Sequence, residues 1–368
     1  MQDALHVVKQ AALTVVCAVA LVLAALVPAA AGADVADPTG TDETPVLSLP
    51  SPIGPLTYTP GRGARFGDTR FTLGGYSNVN LTREHGAPAL LSLDDLSFFA
   101  IWDPHPRVHF FSELEFEDLL QVDGHGRGGT NNWNFTAERL FGDFALTDQL
   151  AVRVGKFLTP VGRWNVIHAQ PLVWTTSRPL ATILPFDPHT TGAMLTGWAG
   201  APGGTVTYAA YGQVVNQLDP SVEPQLAHRS AGARLEYTAW GAWSVGASYS
   251  TFSPDEPRRQ PEPRWKNLIG LDTFVRRGPV ELMGEFAYEK GQWGLYLQGV
   301  VEVLPRIFLV GRYEHYDQPA PLPPVDIGVA GLAWKPLPYL ILKAEYLFSH
   351  HRAEESPPGF RSSVAVLF

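Results

Sequence analysis

Apolar and polar residues alternate along most of the chain beyond residue 70, and this period of two limits the possible folds more than any other feature. Successive side chains of a strand point to opposite faces, so each such segment has one apolar and one polar face. No segment past residue 33 is apolar for long enough to be a spanning helix. The pattern is clearest in 279–289, where Val280, Leu282, Gly284, Phe286 and Tyr288 alternate with Glu281, Glu285 and Glu289.

Sixteen segments of this kind can be placed, and tight turn-forming links separate every second pair of them, whereas most of the intervening links are longer. Short turns at one end and long loops at the other are typical of a transmembrane antiparallel β-barrel. We therefore predict an all-β chain that closes into a barrel of about 16 strands. The predicted strands are 70–82, 91–102, 107–119, 132–146, 150–157, 190–199, 205–215, 227–239, 243–252, 266–275, 279–289, 292–303, 306–316, 325–334, 339–349 and 359–368.

The chain ends on the apolar face of the last predicted strand, at Val364, Val366 and Phe368. A strand edge at the end of a chain needs a cover, and a sheet that closes on itself has no edge. This ending resembles the C-terminal assembly signal of bacterial outer-membrane barrels. The resemblance implies that the barrel-assembly machinery, outer-membrane lipid and lipopolysaccharide are partners. It also implies location in the outer membrane of a Gram-negative-type bacterium.

The N-terminal residues 1–33 are expected to be a signal peptide, because Lys9 precedes an apolar run over 11–27 and small residues follow. Cleavage is expected near Ala31 or Ala33. The alternative, a membrane anchor, would need about 20 apolar residues. Residues 34–65 contain many prolines and predict an extended periplasmic linker, which either trails in the periplasm or enters the barrel. The barrel domain is then 66–368.

Composition excludes several classes of protein. Only 17% of residues are charged, whereas soluble proteins have about a quarter. The formal net charge of −9 argues against nucleic-acid binding. The single cysteine, Cys17, lies in the predicted signal peptide, so the exported chain has no disulfide and no cysteine-ligated metal. We expect no cofactor and no metal.

The polar faces of the strands predict the lining of the barrel. A barrel of about sixteen strands is wide enough to enclose an aqueous channel. Parity places Glu113 and Glu115 inside, on the third predicted strand. It places three basic residues inside on later strands, at Arg153, Arg312 and Lys343. An inward Arg153 opposite Glu113 and Glu115 would create a transverse field, and the prevailing acidic residues predict a weak cation preference.

The longest predicted connection, 158–189, joins the fifth and sixth strands, and a loop of this length in a compact barrel is usually functional. It resembles the third loop of sixteen-stranded general porins, which folds into the lumen and narrows it. Its charged residues either line the pore or brace a rigid plug against the wall, and the sequence leaves both roles open. These candidate constriction residues are Arg163, His168, Arg178, Asp187 and His189.

The stretch 153–162, Arg-Val-Gly-Lys-Phe-Leu-Thr-Pro-Val-Gly, resembles the strand-to-loop segment of the phosphate-selective O/P-type porin family. The resemblance implies a sixteen-stranded outer-membrane channel that is commonly a homotrimer. Phosphate selection in that family depends on a ladder of basic residues that this chain lacks, so phosphate is not carried over. Lys156 is a further pore candidate. It shares the parity of lipid-facing Val154, so either the strand bulges at Gly155 or Lys156 stands above the membrane edge.

Three functional classes remain open. The sequence favours a channel for passive diffusion of small polar or ionic solutes, without enzymatic activity. An outer-membrane enzyme is the second possibility, with Ser97, His109 or Glu115 in catalytic roles that nothing in their spacing singles out. The third is a plugged structural or adhesive barrel, which conductance would distinguish from a channel.

Overall fold

A computed structural model describes residues 47–129, 133–167, 169–218, 227–241, 243–254, 265–351 and 353–368. The predicted signal peptide lies outside these residues. The described chain is almost entirely β. Its strands are β1 (Leu47–Leu49), β2 (Leu56–Thr59), β3 (Gly63–Phe66), β4 (Phe71–Glu84), β5 (Leu90–His105), β6 (Val108–Asp123), β7 (Gly128–Gly129), β8 (Asn134–Thr147), β9 (Leu150–Leu158), β10 (His189–Ala201), β11 (Gly204–Gln213), β12 (Ala227–Ala239), β13 (Trp243–Pro254), β14 (Lys266–Arg277), β15 (Val280–Glu289), β16 (Gln292–Leu304), β17 (Ile307–Asp317), β18 (Val325–Leu337), β19 (Leu340–His350) and β20 (Gly359–Leu367).

Sixteen of these strands, β4–β6 and β8–β20, form a closed antiparallel barrel, which confirms the predicted fold class. Each strand pairs with the next along the chain, and β20 pairs with β4 over Gly359–Leu367 to close the ring. Closure gives every strand two neighbours and so removes the exposed edges that an open sheet would have. In the described part of the chain, no helix is long and apolar enough to cross a membrane.

The two ends of the barrel differ in their connections. At one end, here the turn end, every link has two or three residues. At the other, here the loop end, most links are longer and one spans 159–188, although β15 and β16 are joined by 290–291 alone. The turn-end links are 106–107, 148–149, 202–203, 240–242, 278–279, 305–306 and 338–339.

The alternation of side chains along the regular strands matches the prediction from parity. On β15, Tyr288 on the outer face is 45% exposed, whereas Glu285 and Glu289 on the inner face are 7% and 2% exposed. The strand therefore separates an apolar outer surface from a polar interior. An unpaired charge on a lipid-facing surface would cost about 2–4 kcal/mol near the midplane, so the inner face is the one that tolerates these carboxylates.

The C-terminus lies at the turn end of the closing seam. Phe368 exchanges two backbone hydrogen bonds with Gly75, at 3.0 and 2.9 Å. Its ring packs edge-on against Phe98, with 6.1 Å between centroids. Val364 and Val366 lie in register with Val79 and Ser77, on the outer face with Phe98. The predicted assembly residues thus lie in the last strand of the barrel and directly after it.

Residues 47–66, expected as part of an extended linker, form the three short strands β1–β3. These strands pair antiparallel with each other, and β3 continues the sheet by pairing Ala64 with Leu73 on β4. Pro50, Pro55 and Pro60 fall between the strands, where the missing N–H costs no ladder hydrogen bond. The described part of this segment lies beside the seam at the turn end.

Candidate functional site

The segment 159–188 between β9 and β10 packs against the inner face of the barrel. Its described residues include one helical turn, α1 (Trp164–Ile167), and two 3₁₀ turns at Gln170–Leu172 and Leu180–Thr182. Several of its apolar side chains are almost fully buried, including Trp164, Leu180 and Phe186 with 1–2% exposure. They pack against inward residues of β13–β19, including Leu268, Tyr296 and Ile327. We call 159–188 the inner segment.

Glutamates of the wall accept hydrogen bonds from the backbone of the inner segment. Glu285 on β15 accepts from the N–H groups of Arg163 and Trp164 at 3.1 and 2.7 Å, and from the Tyr296 hydroxyl at 2.7 Å. Glu345 on β19 accepts from the N–H groups of residues 176 and 177. Glu314 on β17 accepts from the Leu180 N–H at 2.9 Å. These carboxylates therefore hold the inner segment in place.

Two predicted pore-lining cations bind the same segment from neighbouring strands. Arg312 on β17 donates to the Thr175 hydroxyl at 2.6 Å and to the carbonyl and hydroxyl of Ser177 at 2.9 and 2.6 Å. Lys343 on β19 donates to the carbonyl and side-chain oxygens of Gln170 at 3.0 and 2.6 Å. Both side chains are buried, so Arg312 and Lys343 brace the segment and are not exposed to lumen water.

Other predicted residues fix the inner segment internally and at its C-terminal end. Arg178 donates to the Asn165 side chain and the Thr182 carbonyl, both at 2.7 Å, so it ties the segment to itself. Asp187 accepts from the Ala227 N–H at 2.8 Å. The His189 ring contacts the Glu138 carboxylate at 2.8 Å. His168, another predicted constriction residue, lies outside the described residues.

The predicted opposition of Arg153 to Glu113 and Glu115 is wrong. Arg153 forms a two-point ion pair with Asp143 on the adjacent strand β8, at 2.7 and 2.8 Å. Glu113 pairs instead with Arg139, also on β8. Charges on adjacent strands of one wall neutralise each other locally and give no field across the lumen.

Parity reasoning missed Arg139 because of a bulge. The pairing of β6 with β8 shifts between Glu113 and Leu114, which leaves Glu138 as an extra residue. Phe135 and Ala137, which precede the bulge in the sequence, lie on the outer face. Arg139 has the same parity, so it would also lie on the outer face if the strand were regular. The extra residue turns Arg139 inward beside Glu113. A bulge leaves no clear signal in an alternating sequence.

Three arginines of the interior remain partly exposed, in contrast to Arg312. The side chains of Arg139, Arg153 and Arg163 are 21%, 26% and 27% exposed. Each guanidinium lies over a phenylalanine ring, 4.6, 3.7 and 4.1 Å from the centroids of Phe111, Phe141 and Phe274. Arg163 also pairs with Glu236 at 3.5 Å. These three arginines, here the lumen arginines, are cationic groups that solvent inside the barrel can reach.

Lys156 is buried, with 1% exposure, and lies in register with Leu140 on β8 and Thr191 on β10. Neither strand pairing shifts register at Gly155. Gly155 has φ +134°, and a Cβ there would lie 2.1 Å from the Leu140 carbonyl oxygen. The strand passes this point only because residue 155 lacks a side chain.

Two of the three residues considered for an enzyme, Ser97 and Glu115, are in contact, and the third, His109, lies apart from them. Ser97 donates to Glu115 at 2.8 Å, and Tyr76 donates to the same carboxylate oxygen at 2.9 Å. His109 lies near the turn end, where it contacts Asp103 at 2.6 Å. The three candidates therefore do not form a triad, because His109 contacts Asp103 and neither Ser97 nor Glu115.

Comparison with known proteins supports the architecture. No family model matches the chain. An uncharacterized protein of Aquifex aeolicus (strain VF5) is 21% identical over 364 residues, covering 81% of this chain and 80% of that protein.

Solved structures similar to the chain are outer-membrane barrels at low sequence identity. Salmonella typhi OmpF, solved with daunomycin, has a TM-score of 0.59 at 12% identity and covers 83% of this chain and 99% of its own. The anion-selective porin of Comamonas acidovorans has a TM-score of 0.53 at 14% identity and covers 81% and 98%. OmpT of Vibrio cholerae, in its trimer form, has a TM-score of 0.55 at 10% identity and covers 81% and 99%. The chain therefore has the fold of the sixteen-stranded bacterial porins.

Proposed function

We propose that the protein is an outer-membrane porin, a water-filled channel for passive diffusion of small polar or ionic solutes. The observation that carries the proposal is a closed sixteen-stranded barrel with charged side chains inside and the inner segment bound to its wall. A barrel of this size has room for an aqueous path beside the segment. The porin fold of the similar structures supports the same function.

The accessible charges of the interior support weak ion selectivity. The glutamates of β15, β17 and β19 are bound by N–H donors of the inner segment, so they contribute less to cation preference than their number predicts. The lumen arginines are each paired with a carboxylate. Paired charges largely cancel at the distance of a passing ion.

Location and assembly follow from the same proposal. The exported chain would lose residues 1–33, be inserted by the barrel-assembly machinery, and lie among outer-membrane lipid and lipopolysaccharide as a homotrimer. A kinship with the phosphate-selective O/P-type porins would rest on 153–162. In that stretch Gly162 has φ +66°, and a Cβ there would lie 1.9 Å from the Glu285 carboxylate. The local sequence is thus tied to the docking of the inner segment.

A plugged barrel is the second candidate, because the inner segment makes many buried contacts with the wall. Single-channel recording of the refolded, signal-free protein in a planar bilayer separates the two. Stepwise openings with a small reversal potential in a salt gradient support the porin. A heat-modifiable, folded barrel without conductance would support the plugged barrel instead.

A further inference from the structure

Three phenylalanine rings lie side by side on the inner wall of the barrel, on the successive strands β5, β6 and β8. Phe99 lies two residues after the inward Ser97 on β5. Phe111 lies two residues before the inward Glu113 on β6, directly opposite Phe141 on β8. The ring centroids are 5.6 Å apart between Phe99 and Phe111, and 5.4 Å apart between Phe111 and Phe141. The three rings form one continuous surface, which we call the phenylalanine row.

The phenylalanine row is an apolar surface on a wall where polar side chains are the rule. Hydrogen bonds from the described inner segment reach Glu285, Glu314 and Glu345 on β15, β17 and β19, whereas the row lies on β5, β6 and β8. Phe99 and Phe111 are half-buried. The inner face of a porin strand is normally polar, because apolar surface in contact with water is unfavourable. A solute that covered these rings would therefore gain free energy from burying them.

Two of the lumen arginines lie over the phenylalanine row. The guanidinium of Arg139 is 4.6 Å from the centroid of Phe111, and that of Arg153 is 3.7 Å from the centroid of Phe141. A cation over the face of an aromatic ring is attracted by the electrons of the ring. The rings therefore hold both guanidinium groups in fixed positions beside the lumen.

These guanidinium groups have hydrogen-bond donors to spare. Arg139 donates to Glu113 through Nε, and Arg153 donates to Asp143 through Nε and Nη2. Within the described chain, the two Nη atoms of Arg139 and the Nη1 atom of Arg153 form no hydrogen bond, and all three are accessible to solvent. Asp143 is 21% exposed, and each of its oxygens accepts one bond where a carboxylate oxygen can accept two. Donors and an acceptor are thus open to a solute beside the row.

We propose that the phenylalanine row, together with Arg139, Arg153 and Asp143, is a binding site for a neutral polyhydroxylated solute, with a saccharide as the best match. The site names a solute class for the proposed channel, so it rests on that function. A sugar ring has an apolar C–H face that fits against a phenylalanine ring, and hydroxyl groups at its edge that both donate and accept hydrogen bonds. Ligand sites commonly combine an apolar surface with a few placed polar groups.

The ion pairs beside the row favour a neutral solute over a charged one. Arg153 and Asp143 together carry no net charge, so Asp143 would repel an anion and Arg153 would repel a cation. A hydroxyl group can accept a hydrogen bond from the open Nη1 of Arg153 and donate one to Asp143 without separating the pair. A wholly apolar solute would cover both groups and leave them without partners. Adjacent hydroxyl groups on an apolar ring satisfy all these conditions.

Single-channel recording tests the proposal in two steps. The refolded, signal-free protein is first recorded in a planar bilayer in KCl alone, which tests the proposed channel function. The neutral trisaccharide cellotriose, whose sugar rings have flat C–H faces, is then added in increasing amounts. We expect the ion current to fall to a plateau, with half-saturation in the millimolar range. Polyethylene glycol of equal hydrodynamic radius, which has no hydroxyl groups along its chain, should lower the current without a plateau.

The double variant Phe111→Leu/Phe141→Leu removes two rings of the row and leaves apolar side chains in their place. We expect it to raise the half-saturating cellotriose concentration about tenfold. The matched control Phe348→Leu/Phe360→Leu makes the same change at two exposed rings of the outer face and should bind cellotriose as the wild type does. Asp143→Asn should also weaken binding, because an amide oxygen is a weaker acceptor than a carboxylate.

Unchanged half-saturation in the folded double variant overturns the site, as does a wild-type response to cellotriose no stronger than that to polyethylene glycol. Stronger block by sodium benzoate than by cellotriose also overturns it, in favour of an aromatic anion. If the double variant shows no heat-modifiable band, Asp143→Asn decides in its place.

A folded barrel without ion current would contradict the proposed channel and leave the saccharide site to be judged by binding alone. Cellotriose is then titrated into the detergent-folded protein in a calorimeter. Saturable heat that Asp143→Asn or the double variant weakens supports the site, and the absence of such heat overturns it.

Discussion

Glu285 on β15 accepts a hydrogen bond from the backbone N–H of Trp164, which lies 121 residues earlier in the chain, at 2.7 Å. The bond joins the wall of the barrel to the first turn of α1. It is also one of three hydrogen bonds to the same carboxylate. The donors in the inner segment are backbone N–H groups, which almost any residue would provide. The acceptor is a particular side chain, so this contact depends on Glu285 being present in the wall.

Glu285→Gln should loosen the start of the inner segment. The amide keeps one oxygen acceptor and replaces the other with a donor that faces the Arg163 N–H. Loss of a hydrogen bond to a charged group costs about 1.5–3 kcal/mol, so the heat-modification midpoint should fall and channel openings should become noisier. Glu302→Gln, which changes an exposed turn-end carboxylate bound to the Arg306 N–H, is the control. Equal effects of the two variants would contradict the role of Glu285.

Arg312→Lys should fail to replace arginine in the wall. The guanidinium reaches Thr175 and both oxygens of Ser177 with two nitrogens, and a lysine ammonium cannot reproduce that fork. We expect the unfolding free energy to fall by about 1–3 kcal/mol. Chemical denaturation in detergent measures it. Arg306→Lys, in an exposed turn, should leave stability unchanged, and full stability of Arg312→Lys would show that the fork is dispensable.

Gly162→Ala should disrupt docking of the inner segment. The effect should exceed the cost of placing an alanine in the left-handed conformation, because the added methyl group also collides with Glu285. The added Cβ would lie 1.9 Å from Glu285, and φ is +66°. Gly126→Ala supplies the control, because its φ is +75° but no atom lies within 4 Å of the added Cβ. The left-handed conformation costs about 1–2 kcal/mol in either variant. Only Gly162→Ala should also change conductance, measured in planar bilayers.

Arg153→Gln should shift ion selectivity towards cations. Removing one lumen arginine leaves the Asp143 carboxylate, 21% exposed, without its counter-charge. The reversal potential in a salt gradient should move in the cation-selective direction, and the shift should shrink at high salt because screening lengths fall to about 3 Å at 1 M. The control is Arg306→Gln, which removes the same charge from the turn between β16 and β17. This variant should leave the reversal potential unchanged. An unchanged reversal potential in Arg153→Gln would show that Arg153 does not influence the permeating ions.

Phe368→Ala should impair assembly in cells more than it impairs the folded barrel. Its backbone bonds to Gly75 remain possible, while the ring contact with Phe98 is lost. The heat-modifiable fraction in outer-membrane extracts measures assembly, and refolding in detergent measures intrinsic stability. Phe348→Ala, which removes an exposed ring from the outer face of β19, is the matched control. Normal assembly of Phe368→Ala would contradict its role as a signal.

The barrel follows from local information in the chain. Alternation along β15 or β19 assigns each residue to a face, and tight turns at 148–149 and 338–339 set the pairing of neighbours. The predicted strands therefore coincide with the observed ones to within a few residues, and the pairing of β20 with β4 closes the barrel. Period and turn chemistry are properties of a few adjacent residues, so a single sequence contains them.

The partners of the inward charges were decided only by the tertiary structure. Arg153 pairs with Asp143, and Glu285 binds the backbone of Trp164 in the inner segment. The bulges at Glu138 and Asp94 each invert the parity of the residues that follow. A bulge depends on how two strands fit against each other, and a long segment docks where complementary groups from distant strands meet. The sequence alone determined which side chains face inward along regular strands, and the three-dimensional fit determined what they bind.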